Sequence, residues 1–175
     1  MKKKQLVLDL DNTLICSILP HEKDKLDLIN MYHWKNMHNM FMVCERPMLQ
    51  IFLDYVFQHF NVSIWTAATK SYALYIIDEF IIQQTDRQLN YVFFSKHCED
   101  SKKYSNKPKD LSMLKNVYDL KDYTLEHTII IDDHPDVFKA QPDYCFPIEP
   151  FHIDPYTWND VELLKMMSTL EQWRR

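Results

Sequence analysis

Glycine is missing: none of the 175 residues is one. At ordinary usage of about 7% a chain of this length carries roughly a dozen. The absence excludes the motifs built on glycine, namely the dinucleotide GxGxxG turn, the phosphate-cradling P-loop and the GxSxG nucleophile elbow. Cysteine is sparse and scattered, at Cys16, Cys44, Cys98 and Cys145, with no CxxC pair. That spacing argues against a zinc site and a disulfide framework, and for a reducing compartment. No cysteine has an arginine six residues on, which removes the phosphate loop of cysteine-based phosphatases. No apolar run approaches the roughly 18 residues of a membrane span. The opening "MKKK" leads straight into a strand-like run, not into the apolar core of a signal peptide. With a net charge of −5 there is no global positive field to recruit nucleic acid or a membrane surface.

What is present suits one domain with a substantial core, 46% of the residues being hydrophobic. Four short apolar runs predict buried strands: 5–10, "NVSIWTAAT" from residue 61, "YVFFS" from 91 and "HTIIIDD" from 127. "MFMVCE" from 40 is a candidate strand within a polar, aromatic excursion over 17–45. Between them lie helical periods. "RPMLQIFLDYVFQHF" has Pro47 in its expected first turn, and "SYALYIIDEFIIQ" has Ser71 as its expected cap. "KDLSMLKNVYD" reads as a short helix. "NDVELLKMMSTLEQW" has Asn159 as its expected cap and Val161, Leu164, Met167 and Leu170 as its apolar stripe. Residues 96–108 read as a basic polar loop. Strands alternating with helices predict an α/β fold, a Rossmann-like parallel sheet with helices on both faces. In such sheets ligands bind beyond the carboxyl ends of the strands.

Those ends carry Asp9 and Asp11, then Thr66, then Asp132 and Asp133. Four carboxylates meeting in one crevice repel one another, and burial adds to the cost. A Mg²⁺ ion resolves the conflict: it is a hard cation that takes a few carboxylate oxygens, keeps waters and binds a substrate phosphate. Asp9, Asp11, Asp132 and Asp133 are therefore the candidate metal residues.

"DLDNTL" (9–14), "WTAAT" (65–69), "PKDLSML" (108–114) and "IIIDDHP" (129–135) stand in order. They resemble the four motifs of the haloacid dehalogenase superfamily of aspartate-nucleophile phosphatases. With "ERP" at 45–47 they look most like the small phosphatases of the RNA polymerase II carboxy-terminal domain, also called NLI-interacting-factor-like phosphatases. The resemblance spans about residues 5–170. It implies one phosphatase domain over 1–175, with insertions near 17–45 and 91–108 and no large cap domain.

The resemblance also assigns roles. Asp9 is the implied nucleophile, forming an aspartyl-phosphate, and Asp11 the general acid and base whose backbone carbonyl also meets the metal. Asn12, through its backbone amide, and Thr13, which also orients the loop, are both implied in phosphate binding. Thr66 and Ala67 bind phosphate at the second motif, where "TAAT" departs from the family's Thr-Ala-Ser. Lys109 neutralises charge on the phosphoryl group. Of the fourth-motif acids, Asp133 is favoured as the direct metal ligand. Arg46 binds near the phosphate, braces the loop after the first motif, or is a helix-start arginine paired with Glu45 or solvent. His134 reads as a loop residue rather than a ligand. Lys96, Lys102, Lys103 and Lys107 either attract an acidic phosphosubstrate or form a solvated face.

The resulting expectation is a Mg²⁺-dependent phosphoric monoester hydrolase acting on phosphoserine or phosphothreonine in a protein, with the RNA polymerase II carboxy-terminal domain as one candidate. No membrane or nucleic-acid partner is expected, and the location is cytoplasmic or nuclear. The rival readings are a nucleotidase or polynucleotide-end phosphatase on the same site, and a non-catalytic phosphoprotein adaptor.

Overall fold

The computed structural model describes residues 3–83 and 85–175. The chain opens with β1 (Gln5–Leu8), followed by β2 (Ile15–Ile18), the single turn α1 (Lys23–Leu26), β3 (Trp34–Met37) and β4 (Phe41–Glu45). Then come α2 (Leu49–His59), β5 (Asn61–Trp65), α3 (Lys70–Ile76), which runs on into a wider π turn over Ile77–Ile82, and β6 (Val92–Phe93). The second half holds α4 (Ser95–Ser105), α5 (Ser112–Asn116), β7 (Thr128–Asp132), α6 (Pro135–Ala140), β8 (Cys145–Pro147) and α7 (Glu162–Arg174).

Five strands form one parallel sheet in the order β6-β5-β1-β7-β8. Every residue of β1 and β7 is buried, as a strand covered on both faces requires. Leu6, Leu8, Ile129 and Ile131 face one core with Phe52, Leu53, Val56 and Phe80. Val7 and Ile130 face the other, with Trp65, Leu111, Leu114 and Val137. The expected α/β architecture is what forms. Leu8 pairs with Ile64 on one side and Ile131 on the other, so β1, β5 and β7 end level. That register brings their carboxyl tips to one crevice.

The 17–45 excursion supplies most of a second, antiparallel sheet in the order β2-β4-β3. Without glycine, left-handed backbone falls to other residues: Asn12, His38, Asn39, Met48, Gln83, Asn106, Lys109 and Asp119 have φ between 42° and 67°. Asn and Asp tolerate this region because their short polar side chains bond locally; Met, Gln and Lys pay about 1–2 kcal/mol each.

Several local expectations fail, each for a physical reason. Residues 95–105 are helix, not loop. Only Ser101 is buried there, so no apolar period marks the helix; an i,i+4 ion pair, Lys96 to Asp100 at 2.9 Å, and left-handed Asn106 at its end support it instead. Pro47 lies in the turn before α2, not in its first turn. Thr69, not Ser71, caps α3, its Oγ1 accepting the Tyr72 N–H at 3.4 Å. Asn159 does not cap α7; Asp160 Oδ1 accepts the Glu162 N–H at 3.0 Å. The buried stripe of α7 is Leu163, Met166 and Leu170, leaving Val161 and Leu164 exposed. "LL" and "MM" are apolar doublets, and periodicity alone cannot choose between the two stripes they create. Among the described residues no helix is long and apolar enough to cross a membrane.

Candidate active site

Asp9 directly follows β1, and its N–H donates to Ile131 O at 3.0 Å, so the sheet's own ladder anchors it. The chain then folds back: Leu10 O accepts the N–H groups of Thr13, Leu14 and Ile15 at 3.2, 2.8 and 3.2 Å. Left-handed Asn12 makes this turn possible. Its N–H donates to Ile15 O at 2.7 Å. The expected role of that amide as a phosphate donor is therefore corrected: it is committed to the turn, and Asn12 meets the cleft otherwise.

A cleft of about 540 Å³ opens at the carboxyl end of the sheet. Asp9, Asp11, Asn12, Thr66, Ala67, Lys109, Asp132 and Asp133 all line it. A wider hollow of about 740 Å³ lies at the opposite end, near Lys3, Gln5, His59 and His127. It has no group of converging acids, so the chemistry belongs to the smaller cleft.

Lys109 is the hub. Its Nζ donates to Asp9 Oδ1 and to Asp132 Oδ2, each at 2.6 Å, and it is only 5% exposed. Burial works against its ammonium, but the two carboxylates prevail and hold its pKa above the ordinary lysine value. Its left-handed backbone, φ 49°, is fixed from both sides. Gln141 Nε2 donates to Lys109 O at 2.8 Å, and Ser101 Oγ accepts the Asp110 N–H at 2.7 Å. Strained backbone of this kind clusters at active sites, where the surrounding structure holds it in place. Gln141 and Ser101 escaped the sequence reading, since nothing in their local pattern signals a brace.

Thr13 is fully buried beneath the acids rather than in the cleft. Its hydroxyl donates to Asp9 Oδ2 at 3.0 Å, with Asp133 Oδ1 at 3.4 Å. Phosphate binding by Thr13 is thus corrected: its one proton serves the carboxylates. Thr66 Oγ1 accepts the Ala68 N–H at 3.0 Å, which leaves its own O–H to donate into the cleft.

Phosphate binding by Arg46 is corrected too. It is 0% exposed and does not reach the cleft. Its guanidinium grips Asp160 bidentately at 3.0 and 2.9 Å and donates to Thr13 O at 3.0 Å and Glu149 O at 2.8 Å. It braces the loop after β1, the second of the three roles left open for it.

Burial first, then the charge of Asp9, pushes Asp11 up to about 6 against an opposing bond from Tyr72. Burial and Asp9 likewise raise Asp132 and Asp133. Asp9, Asp132 and Asp133 each offer an oxygen, and these atoms lie within 4.8 Å of one another. Three hard, buried or half-buried oxygens at that spacing fit a divalent cation that keeps waters. The Asp11 carboxylate is not part of that group; it is engaged by Tyr72 at 2.5 Å. Cys98, Lys102, His134 and Asp136 also line the cleft. His134 donates its backbone N–H to Asp132 Oδ1 at 2.9 Å, which is a loop residue's role.

Known proteins resemble this chain in sequence and in fold. A CTD phosphatase-like protein, 355R, of Invertebrate iridescent virus 6 is 41% identical, with 97% of this chain and 98% of that protein covered. The CTD small phosphatase-like protein 3 of Caenorhabditis elegans is 33% identical over 95% of this chain but only 53% of its own length. Among solved structures, fission yeast Fcp1-R271A, an RNA polymerase II CTD phosphatase bound to beryllium fluoride, superposes with a TM-score of 0.63 at 16% identity. It covers 98% of this chain, which spans 52% of that one. The 3-deoxy-D-manno-octulosonate 8-phosphate phosphatase of Moraxella catarrhalis, solved with magnesium and phosphate, shares the fold at a TM-score of 0.57 and 12% identity. Residues 4–175 match the model of one family, and the chain belongs to it: the NLI interacting factor-like phosphatases.

Proposed function

We propose that this chain is a Mg²⁺-dependent phosphomonoesterase that works through an aspartyl-phosphate on Asp9, with phosphoserine or phosphothreonine in a protein as its substrate. The observation that carries this reading is the Lys109 ammonium held between Asp9 and Asp132 at the mouth of β1 and β7. A carboxylate so anchored is aimed, and the cation beside it can follow charge onto a phosphoryl oxygen.

In the first step Asp9 attacks phosphorus, the Asp9 O–P bond forms, the ester P–O bond breaks, and Asp11 protonates the departing oxygen. In the second, water attacks phosphorus, Asp11 takes its proton, and the Asp9 O–P bond breaks to release inorganic phosphate. Thr66 donates its hydroxyl to a phosphoryl oxygen, with Ala67 beside it. Asp9, Asp132 and Asp133 would hold Mg²⁺, with Asp133 the more direct partner, because the Lys109 ammonium already bonds Asp132. Bound there, the ion supplies positive charge to the transferring group. Lys102, on the rim of the cleft, suits an acidic phosphopeptide.

The test is Mg²⁺-dependent phosphate release by wild type and Asp9→Asn. The panel holds p-nitrophenyl phosphate, Ser/Thr/Tyr phosphopeptides including a carboxy-terminal-domain repeat, mononucleotides and DNA 3′-phosphates. The reading expects metal-dependent activity, lost in Asp9→Asn and highest on Ser/Thr phosphopeptides. Highest activity on nucleotides or DNA ends would replace the substrate class, and no turnover by folded wild type would favour an adaptor.

A further inference from the structure

We propose that Tyr72, itself held by Ser17, is a positioning residue that fixes which oxygen of Asp11 handles the proton. The proposal rests on Asp11 being the proton-transferring group. Tyr72 lies on α3, is 9% exposed and does not line the cleft. Its hydroxyl donates to Asp11 Oδ1 at 2.5 Å. Ser17 Oγ, on β2 of the small sheet, lies 2.5 Å from the same hydroxyl. A phenol has one proton. With that proton on Asp11, the Tyr72 oxygen can only accept, so Ser17 donates to it. The order of donors is Ser17 to Tyr72 to Asp11. The ring itself is held edge-on by Phe41, with centroids 5.6 Å apart and planes at 81°.

The consequence is directional. An aspartate carboxyl turns easily about its last torsion, which is broad and two-fold. Tyr72 removes that freedom. A proton on Oδ1 would face the Tyr72 O–H head-on, so Oδ1 is confined to accepting and Oδ2 is left to deliver a proton or collect one. In the first step the proton leaves Oδ2 for the departing oxygen as the ester P–O bond breaks. In the second, a water proton arrives at Oδ2 as the new O–P bond forms. Three separate segments meet at this relay: the first-motif loop, α3, and a strand of the insertion.

The experiment compares kcat/KM on two substrates that differ in their need for a proton. A phosphoserine peptide expels an alkoxide and needs one; p-nitrophenyl phosphate expels a stabilised phenolate and does not. For Tyr72→Phe, kcat/KM on the peptide falls on the order of 10- to 100-fold, and on p-nitrophenyl phosphate by less than about threefold. Ser17→Ala shifts the ratio in the same direction by a smaller factor. Equal losses on both substrates would make Tyr72 merely structural, and no loss on either would make it idle; both overturn the proposal. Thermal melting checks each variant's fold, and if Tyr72→Phe does not fold, the ratio for Ser17→Ala decides alone. Asp11→Asn separates the two layers. A selective peptide loss there without one in Tyr72→Phe sinks this proposal only. No selective loss in Asp11→Asn sinks the reading of Asp11 itself.

Discussion

Lys109 Nζ sits 2.6 Å from Asp9 Oδ1, and the same ammonium neutralises Asp132 at the same distance. One buried cation thus serves two acids that would otherwise repel. Removing it leaves both uncompensated, a change that typically costs about 3–5 kcal/mol for a buried pair. Lys109→Met is expected to lose that much stability in chemical denaturation without metal. It is also expected to lose about 10²-fold or more in kcat, the scale for deleting a charge that meets the transition state. A full-activity Lys109→Met variant would remove the residue from the mechanism.

The acids make the metal-free protein sensitive to pH in a definite direction. Asp11 is raised from 3.8 to about 6, and Asp132 is raised as well. Carboxylates raised in the folded state bind more protons there than in the unfolded chain. Their contribution to stability is greatest below the unfolded value and is lost as pH rises through about 6. Denaturation of the metal-free protein should show stability falling between about pH 4 and 6, by an amount on the order of 1–3 kcal/mol from these groups. Added Mg²⁺ should stabilise more at pH 7 than at pH 5. Equal stabilisation at both would break the link between metal and acids.

Arg46 ties the first-motif loop to the segment before α7 through Asp160. Asp160 also accepts the Glu162 amide at the start of α7. Arg46→Ala is expected to cost about 3–5 kcal/mol, and Arg46→Lys to rescue little, because the lysine head cannot reproduce the bidentate fork. A double-mutant cycle with Asp160→Asn should show coupling of about 1 kcal/mol or more. Where Arg46→Ala remains folded, KM for p-nitrophenyl phosphate should stay near wild type; a large rise in KM would return Arg46 to phosphate binding.

The glycine-free backbone offers a gain. Met48 precedes α2 with φ 67° and is 42% exposed. Met48→Gly relieves about 1–2 kcal/mol of left-handed strain against about 0.5–1 kcal/mol of added chain entropy. A rise in stability of a few tenths to about 1 kcal/mol is expected, measured by urea denaturation; a loss would mean that Met48 packs rather than strains.

The central strands were legible because β1 and β7 are uninterrupted apolar runs ending in acids, and that pattern has few other readings. Asp9, Asp11, Thr66, Asp132 and Asp133 come to one cleft because the strands end in register, which chain order and strand class together imply, whereas Lys109 reaches it from the loop between α4 and α5. Helix α4 was illegible because it buries only a serine, and the α7 register because its apolar residues come in doublets. Arg46 and Thr13 show a different limit. Sequence places them beside the motifs but cannot say whether a polar group meets substrate or is used up by carbonyls and carboxylates. Tyr72 lies 61 residues from Asp11, with nothing local to announce the contact.

The most direct test of the account is to trap the phosphorylated protein. A ³²P-labelled phosphopeptide would be mixed with enzyme and Mg²⁺, quenched in acid within one turnover, and the protein digested. The account predicts a transient, hydroxylamine-labile label on the peptide that contains Asp9, absent from Asp9→Asn. Rapid turnover with no label at any quench time, or a label that persists in Asp9→Asn, would contradict it.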